Sequence, residues 1–409
     1  MPASDVEAVF RESYGRAVAV LTRLLGDIDA AEEAVQDAFL TAVQRWPADG
    51  VPPSPAGWIV TTARNRAIDR VRRESTRTDR YRAMALLHPA LLADPSPPPE
   101  EGAVRDDRLR MLFTCCHPAL APAARVALTL RLVGGLSTAE VAHAFLVPEA
   151  TMAQRLVRAK AKIRDARIPY RVPAEADLPG RLAGVLAVVH LVYTEGHTAS
   201  SGDRLVRTDL CAEAVRLARE LAGLMPDEPE VLGLLALVLL AESRRAARVA
   251  PDGSLVPLPE QDRSRWDAAL VAEGQELVRR CLRRGAPGPY QVQAAIQAVH
   301  SDAATAAGTD WRQVLALYDH LTALTPSPVV ALNRAVAVAE VDGPAAALAL
   351  AEELELPRSH LLPAVRADLL RRLGRDAEAA AAYDAAIALA GTAVERDFLT
   401  RRRAEVAGT

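Results

Sequence analysis

Residues 57–73 read GWIVTTARNRAIDRVRR. Projected at about 100° per residue, Val60, Ala67, Ile68 and Val71 fall on one side, and Asn65, Arg66, Asp69, Arg70, Arg72 and Arg73 on the other. This spacing predicts an amphipathic helix over Trp58–Arg73, packed by one face and presenting cations with the other. Arginines on an exposed helix face can neutralise phosphates. Asn65 and Asp69, one turn apart, can hydrogen-bond base edges, which arginine–phosphate contacts alone cannot discriminate. Taken alone, the same pattern suits a solvated charged face equally well, so the neighbouring segments must decide.

Toward the N-terminus, Asp5–Leu24 reads as one helix and Asp29–Trp46 as a second, with Asp29 as N-cap and Glu32 three residues on. Ala31, Val35, Ala38, Phe39 and Ala42 form its packing stripe, while Glu32, Glu33, Gln36 and Asp37 lie mostly off it. Pro47 to Pro55 (PADGVPPSP) reads as a loop, so residues 5–80 make a first small helical domain. Residues 81–105 form a linker whose stretch Asp94 to Gly102 (DPSPPPEEG) is stiff and solvated.

A second domain, 106–168, ends in a helix-turn-helix pattern. Ser137-Thr-Ala-Glu140 is a capping box, Val141, Ala142 and Phe145 face inward, and Leu146-Val147-Pro148 turns the chain into a helix over Glu149–Arg164. Met152, Leu156, Ala159 and Ile163 make the core stripe of that helix, and Thr151, Gln154, Arg155, Arg158 and Lys162 its exposed stripe. Such a helix fits the major groove, with later cations on phosphates, although many packed helix pairs share the pattern.

Beyond a break at Ile168-Pro169 to Pro179, residues 180–409 read as helical hairpins. Leu224-Met-Pro-Asp-Glu-Pro-Glu-Val-Leu resembles Leu324-Thr-Pro-Ser-Pro-Val-Val-Ala-Leu, each lying between two apolar helices. Leu373 to Ala379 (LGRDAEA), followed by Tyr383 and Ala386, resembles part of a tetratricopeptide repeat. Alternation of the strand type is absent, and the fold class expected is all-α: two small helical domains, then a helical-repeat domain.

The totals agree with a soluble, multidomain chain. It has 409 residues, 50% of them hydrophobic and 25% charged, and its net charge is −3. Residues 1–168 hold 23 Arg and Lys against 20 Asp and Glu, net +3, whereas the remainder is net −6; the two halves are therefore expected to meet different partners. The apolar run Val231–Ala241 is too short to span a bilayer, and no signal segment is read at the N-terminus, so a cytoplasmic location without membrane contact is expected. Cys115, Cys116, Cys211 and Cys281 complete no zinc set and read as reduced, buried thiols; no metal and no cofactor is expected.

Glu195-Gly196-His197 with Thr198, Ser200 and Ser201 offers a carboxylate, an imidazole and hydroxyls, but the nucleophile-elbow pattern is missing and no catalytic residue is assigned. His190 and His197 are seven apart and could share a helix face, but a helix break is expected at Gly196. Arg244, Arg245 and Arg248 with Asp262 to Asp267 (DRSRWD) read as an internal ion-pair network or, alternatively, as a groove for an acidic peptide or protein partner.

Residues 5–168 resemble the two conserved domains of sigma-70-type initiation factors of the extracytoplasmic-function group. Asp29–Phe39 is similar to that family's polymerase-binding helix, Gly57–Arg73 to its minus-ten-reading helix, and Leu136–Arg164 to its upstream-element helix-turn-helix. The back half resembles the subgroup with a long tetratricopeptide-like extension, through Tyr193–Gly202, Asp209–Glu213, Gln261–Asp267, Gly288–Gln291 and Leu332–Val336. The resemblance implies a non-enzymatic specificity subunit that binds core RNA polymerase and promoter DNA. Glu32, Glu33, Gln36, Asp37 and Phe39 would dock on the polymerase, and the Pro47–Pro55 loop would hold a base flipped from the melted strand. Asn65, Asp69, Arg72 and Arg73 would read the melted element, and Thr151, Gln154, Arg155, Arg158 and Lys162 the upstream duplex. The extension would regulate or support activity. A helix-turn-helix regulator with a repeat-type sensor, never a polymerase subunit, is the alternative; it has no use for a clamp-binding helix at Asp29–Phe39.

Overall fold

The computed structural model describes residues 3–74, 101–145, 147–174, 177–199, 205–357 and 359–407. The described residues are helical apart from turns and one isolated bridge between Val249 and Leu255. They form two compact units, Met1–Val189 and His190–Thr409.

In the first unit, α1 (Ala3–Leu25), α2 (Ile28–Asp49) and α3 (Pro55–Glu74) pack on one another. The N-cap of α2 is Asp27, not Asp29: its carboxylate accepts from Ala30 N at 3.0 Å. Asp29 sits in the first turn, where its charge also suits the helix dipole. Helix α2 runs through Pro47 to Asp49, so the expected loop shrinks to Gly50–Ser54. Proline costs a hydrogen bond there only near the helix end, and Gly50, at φ 82°, closes the helix. The buried stripe of α3 is Ile59, Ala63 and Ala67, an i, i+4 row, while Val60 and Ile68 are half-buried at its border.

Helix α4 (Glu101–Cys115) begins inside the segment expected to be linker; the rest of the expected stretch from Asp94 lies outside the described residues. After α5 (Pro122–Leu128) a wide π-type turn, Thr129–Val133, leads to α6 (Thr138–Ala144) and α7 (Glu149–Asp165). The capping box forms in both directions: Ser137 N donates to Glu140 Oε2 at 2.7 Å and Glu140 N to Ser137 Oγ at 3.1 Å. Met152, Leu156, Ala159 and Ile163 are all buried, and burying the three larger side chains contributes roughly 1.5–3 kcal/mol each. Leu146 of the expected turn lies outside the described residues.

Helix α8 (Leu178–His197) carries the chain into the second unit without a break at Gly196. Glycine serves a close approach there: a Cβ on Gly196 would stand 2.7 Å from Cys211 N. Next come α9 (Thr208–Leu224), α10 (Pro229–Ser243), α11 (Ala268–Arg284), α12 (Pro289–Asp302), α13 (Trp311–Leu324) and α14 (Pro328–Val341), then α15 (Pro344–Glu352), α16 (Leu361–Arg372), α17 (Asp376–Leu389) and α18 (Ala393–Ala407). Each packs on its chain neighbour, and α10 lies against α11 and α12 together. The two proline-rich turns behave alike: helices stop at Leu224 and Leu324, and the next start at Pro229 and Pro328. The Glu230 carboxylate caps α12, accepting from Tyr290 N at 3.1 Å and Gln291 N at 3.2 Å. Separate apolar cores form around Val292, Ile296 and Val314, and around Ala367, Leu369 and Tyr383.

Candidate nucleic-acid and polymerase interface

On α3, Asn65 and Asp69 are exposed, while the side chains of Arg72 and Arg73 lie outside the described residues. Arg66 is exposed too, but its Nη2 donates to Thr41 Oγ1 on α2 at 3.2 Å. Trp46 and Trp58 meet edge to face at 5.4 Å and fix the start of α3 against the end of α2.

On α7, Gln154, Arg155, Arg158 and Lys162 are exposed and Thr151 is half-buried. Arg158 Nη2 donates to Gln154 Oε1 at 3.5 Å, a long bond between groups one turn apart. Arg155, Arg158 and Lys162 also line a mostly apolar recess of 440 Å³ with Ala123, Ala127 and Met152. Lys160 projects about 180° away from this stripe. It points at α2, its Nζ 2.6 Å from Asp29 Oδ1 and 2.8 Å from Glu32 Oε2.

The expected polymerase-docking set is divided by this packing. Glu32 is buried, with 6% exposure, and Phe39 is buried with 5%. Phe39 stacks with Phe10 at 4.8 Å and Tyr14 at 6.5 Å, so it is a core residue. The Glu32 carboxylate accepts from Tyr14 at 2.6 Å and pairs with Arg131 Nη2 at 3.0 Å as well as with Lys160. Arg131 in turn stacks over the Tyr14 ring at 4.5 Å. Burial, then the Glu32 charge, pushes the Tyr14 hydroxyl well above its ordinary pKa, so it stays a donor. Neither Glu32 nor Phe39 offers a docking surface in this conformation.

Glu33 and Gln36 are exposed and Asp37 is half-buried. Two residues that the sequence reading missed share their face: Leu40, 61% exposed, and Val43, 55% exposed. Leu40 follows Gln36 by four residues and Glu33 by seven, and Val43 follows Gln36 by seven; this helical spacing, away from the Ala31, Val35, Ala38 and Ala42 stripe, was the available signal.

The two halves of the first unit are joined at further points. Asp107 pairs with Arg23 at 2.8 Å and Arg110 at 2.7 Å. The Tyr170 hydroxyl reaches Ala19 O at 2.7 Å. Gly15 lies so close to the π-type turn that a Cβ there would be 2.3 Å from Val133 O.

Sequence comparisons bear on the same segments. Residues 9–77 match the Sigma-70 region 2 family, residues 110–163 the Sigma-70, region 4 family, and residues 181–282 a family of unknown function, DUF6596. The chain belongs to the extracytoplasmic-function sigma factors. An uncharacterized protein of Rhizobium meliloti (strain 1021) is 44% identical over 393 residues, 94% of this chain and 92% of that one. The Probable ECF RNA polymerase sigma factor SigI of Mycobacterium tuberculosis is 29% identical over 171 residues, 42% of this chain and 58% of its own length. The ECF RNA polymerase sigma factor SigK of Mycolicibacterium vanbaalenii is 32% identical over 155 residues, 36% of this chain and 74% of its own. As a sigma factor the chain partners core RNA polymerase and promoter DNA in transcription initiation. Among the described residues no helix is long and apolar enough to cross a membrane. The four cysteines are buried and unpaired.

Proposed function

We propose that this sigma factor divides its work among a region 2-like domain at 5–80, a region 4-like domain at 106–168 and an extension at 180–409 that regulates or supports activity. It works in the cytoplasm by binding energy alone, with no catalytic step of its own. The observation that carries the DNA assignment is the outward stripe of α7: Gln154, Arg155, Arg158 and Lys162 stay exposed while Lys160, opposite them, is spent on α2. Thr151, Gln154 and Arg155 on the early turns would meet base edges, and Arg158 and Lys162 phosphates. Asn65, Asp69, Arg72 and Arg73 would hold the melted strand.

Polymerase would dock on Glu33, Gln36 and Asp37, with Leu40 and Val43 supplying the apolar part of the contact. The packing of α7 and the Arg131 turn onto Asp29 and Glu32 gives a closed form that covers one edge of α2. Promoter engagement would separate the two halves. The test is run-off transcription with purified core polymerase and either Asn65→Ala or Arg155→Ala protein. Altered promoter choice supports the assignment; unchanged choice in both variants refutes it.

A further inference from the structure

One fastening between the two halves of the first unit comes from outside both sigma domains. The hydroxyl of Tyr170 has one proton to give and shares it between Ala19 O of α1, at 2.7 Å, and Asp107 O of α4, at 2.9 Å. Tyr170 lies after residue 163, where the region 4 match ends, and before residue 181, where the DUF6596 match begins. The same stretch of chain is held to the end of α4. Thr114 Oγ1 donates to Pro169 O at 3.4 Å, and Arg181 Nη2, in the first turns of α8, donates to Phe113 O at 2.6 Å. Beside Tyr170 the fully buried Asp107 carboxylate accepts from Arg23 Nε of α1. The junction that leads into the extension therefore pins α1 to α4.

At the other side of the closed form, cations of the region 4-like half occupy the acidic start of α2. Lys160 Nζ sits between Asp29 and Glu32, Arg131 holds the second oxygen of Glu32, and Arg164 Nη1 stands 3.9 Å from Asp29 Oδ2. Asp29 is one turn before Glu33, and Glu32 one turn before Gln36, so the covered carboxylates border the open ones. A partner that docks on acidic side chains brings cations of its own. Here that place is already taken, and like charges oppose the approach.

We propose that the free chain is locked: the region 4-like half, pinned by Tyr170, covers the acidic edge of α2 and keeps core polymerase off until the halves part. Promoter engagement then keeps them apart. The inference rests on the reading that Glu33, Gln36 and Asp37 meet polymerase. It gives the extension a point of action, because the residue that closes the lock belongs to the chain running into α8. The apparent Kd of a mostly closed chain is the intrinsic Kd divided by the open fraction. Weakening a fastening by some factor therefore tightens polymerase binding by the same factor. That sign separates a lock from plain structural support, whose loss does not improve binding.

The test measures binding of the full chain to purified core polymerase by fluorescence anisotropy, with hydrogen exchange of residues 129–133 reporting on closure. Tyr170→Phe, which removes one oxygen, should tighten binding roughly fivefold, and Lys160→Met about tenfold. Both should speed exchange at 129–133. Tyr170→Phe decides the matter even if Lys160→Met does not fold. Leu40→Asp, on the open face of α2, should weaken binding in every background. If Leu40→Asp weakens binding while Tyr170→Phe binds no more tightly than the unaltered chain, the lock is overturned and the docking face stands. If Leu40→Asp binds as the unaltered chain does, the docking face is wrong and the lock falls with it.

Discussion

Lys160 Nζ lies 2.8 Å from Glu32 Oε2, an ion pair between residues 128 positions apart that ties the helix-turn-helix to the second helix of the chain. Both side chains are largely withdrawn from water, at 14% and 8% exposure. Removing one partner of a buried pair ordinarily costs ~3–5 kcal/mol, because the other charge is left behind. Here Arg131 and Tyr14 remain on Glu32, so Lys160→Met should cost less, about 2 kcal/mol. Urea denaturation followed on the first unit's Trp46 and Trp58 checks it, and an unchanged midpoint would mean the pair is idle. Glu32→Leu should cost more than Lys160→Met, since it strands Arg131 as well.

Gly15 is a steric probe of the same closed form. A Cβ at this position meets the carbonyl of Val133 at 2.3 Å, and that carbonyl belongs to backbone that cannot swing away like a side chain. Gly15→Ala should therefore push the Thr129–Val133 turn off α1 at a cost of roughly 1–3 kcal/mol, despite alanine's better helix propensity. Hydrogen exchange reads the outcome: amides of residues 129–133 should lose protection while those of α17, in the other unit, keep theirs. Equal protection in both proteins would show that the turn relaxes without separating.

What the sequence disclosed was what depends on near neighbours. The Ser137–Glu140 capping box and the Met152, Leu156, Ala159 and Ile163 stripe are local patterns, and both are realised. The partners of Glu32 are not local: Arg131 and Lys160 reach it only through tertiary packing, and its acidic, off-stripe position read as exposure. Gly196 was misjudged because glycine both breaks helices and admits close packing; only the neighbouring Cys211 backbone reveals the second role. In the arginine cluster the acids stood close by in sequence, yet Asp262 and Asp267 are consumed as caps. Leu40 and Val43 went unread because leucine and valine are ordinarily core residues, so only their place off the buried stripe, and not their identity, marks them as exposed.

The outward stripe of α7 makes a quantitative claim about DNA. Lys162 and Arg158, on later turns, should contribute through phosphate charge, so Lys162→Ala should weaken duplex binding by a similar factor on any sequence. It should also lower the salt slope by about 1. Arg155, nearer the start of the helix, should instead cost about 1–3 kcal/mol on the cognate site and little elsewhere. Fluorescence anisotropy with cognate and scrambled duplexes over a salt series separates the two behaviours. A uniform loss for Arg155→Ala would move that residue to the phosphate class.

Acidification should weaken the second unit through its buried histidines. His300 is held down to about 4, by burial first and then by Arg244 and Arg263, against an ordinary value of 6.5. His197 is lowered as well, by burial and then by Arg248 and Arg244. A histidine with a depressed folded pKa is neutral in the folded chain and takes its proton on unfolding. The unfolded state therefore binds more protons below pH 6.5, and stability falls as pH drops from about 6.5 toward 4. Above pH 6.5 both states carry neutral rings and the effect vanishes. His300 alone corresponds to about 3 kcal/mol across that window at most, at 1.36 kcal/mol per unit. Urea midpoints in phosphate-free buffer at pH 7 and pH 5 should differ accordingly, and His300→Gln should flatten the difference. A midpoint that rises on acidification, or one equally steep in His300→Gln, would place these rings in contact with solvent or with an unseen negative charge.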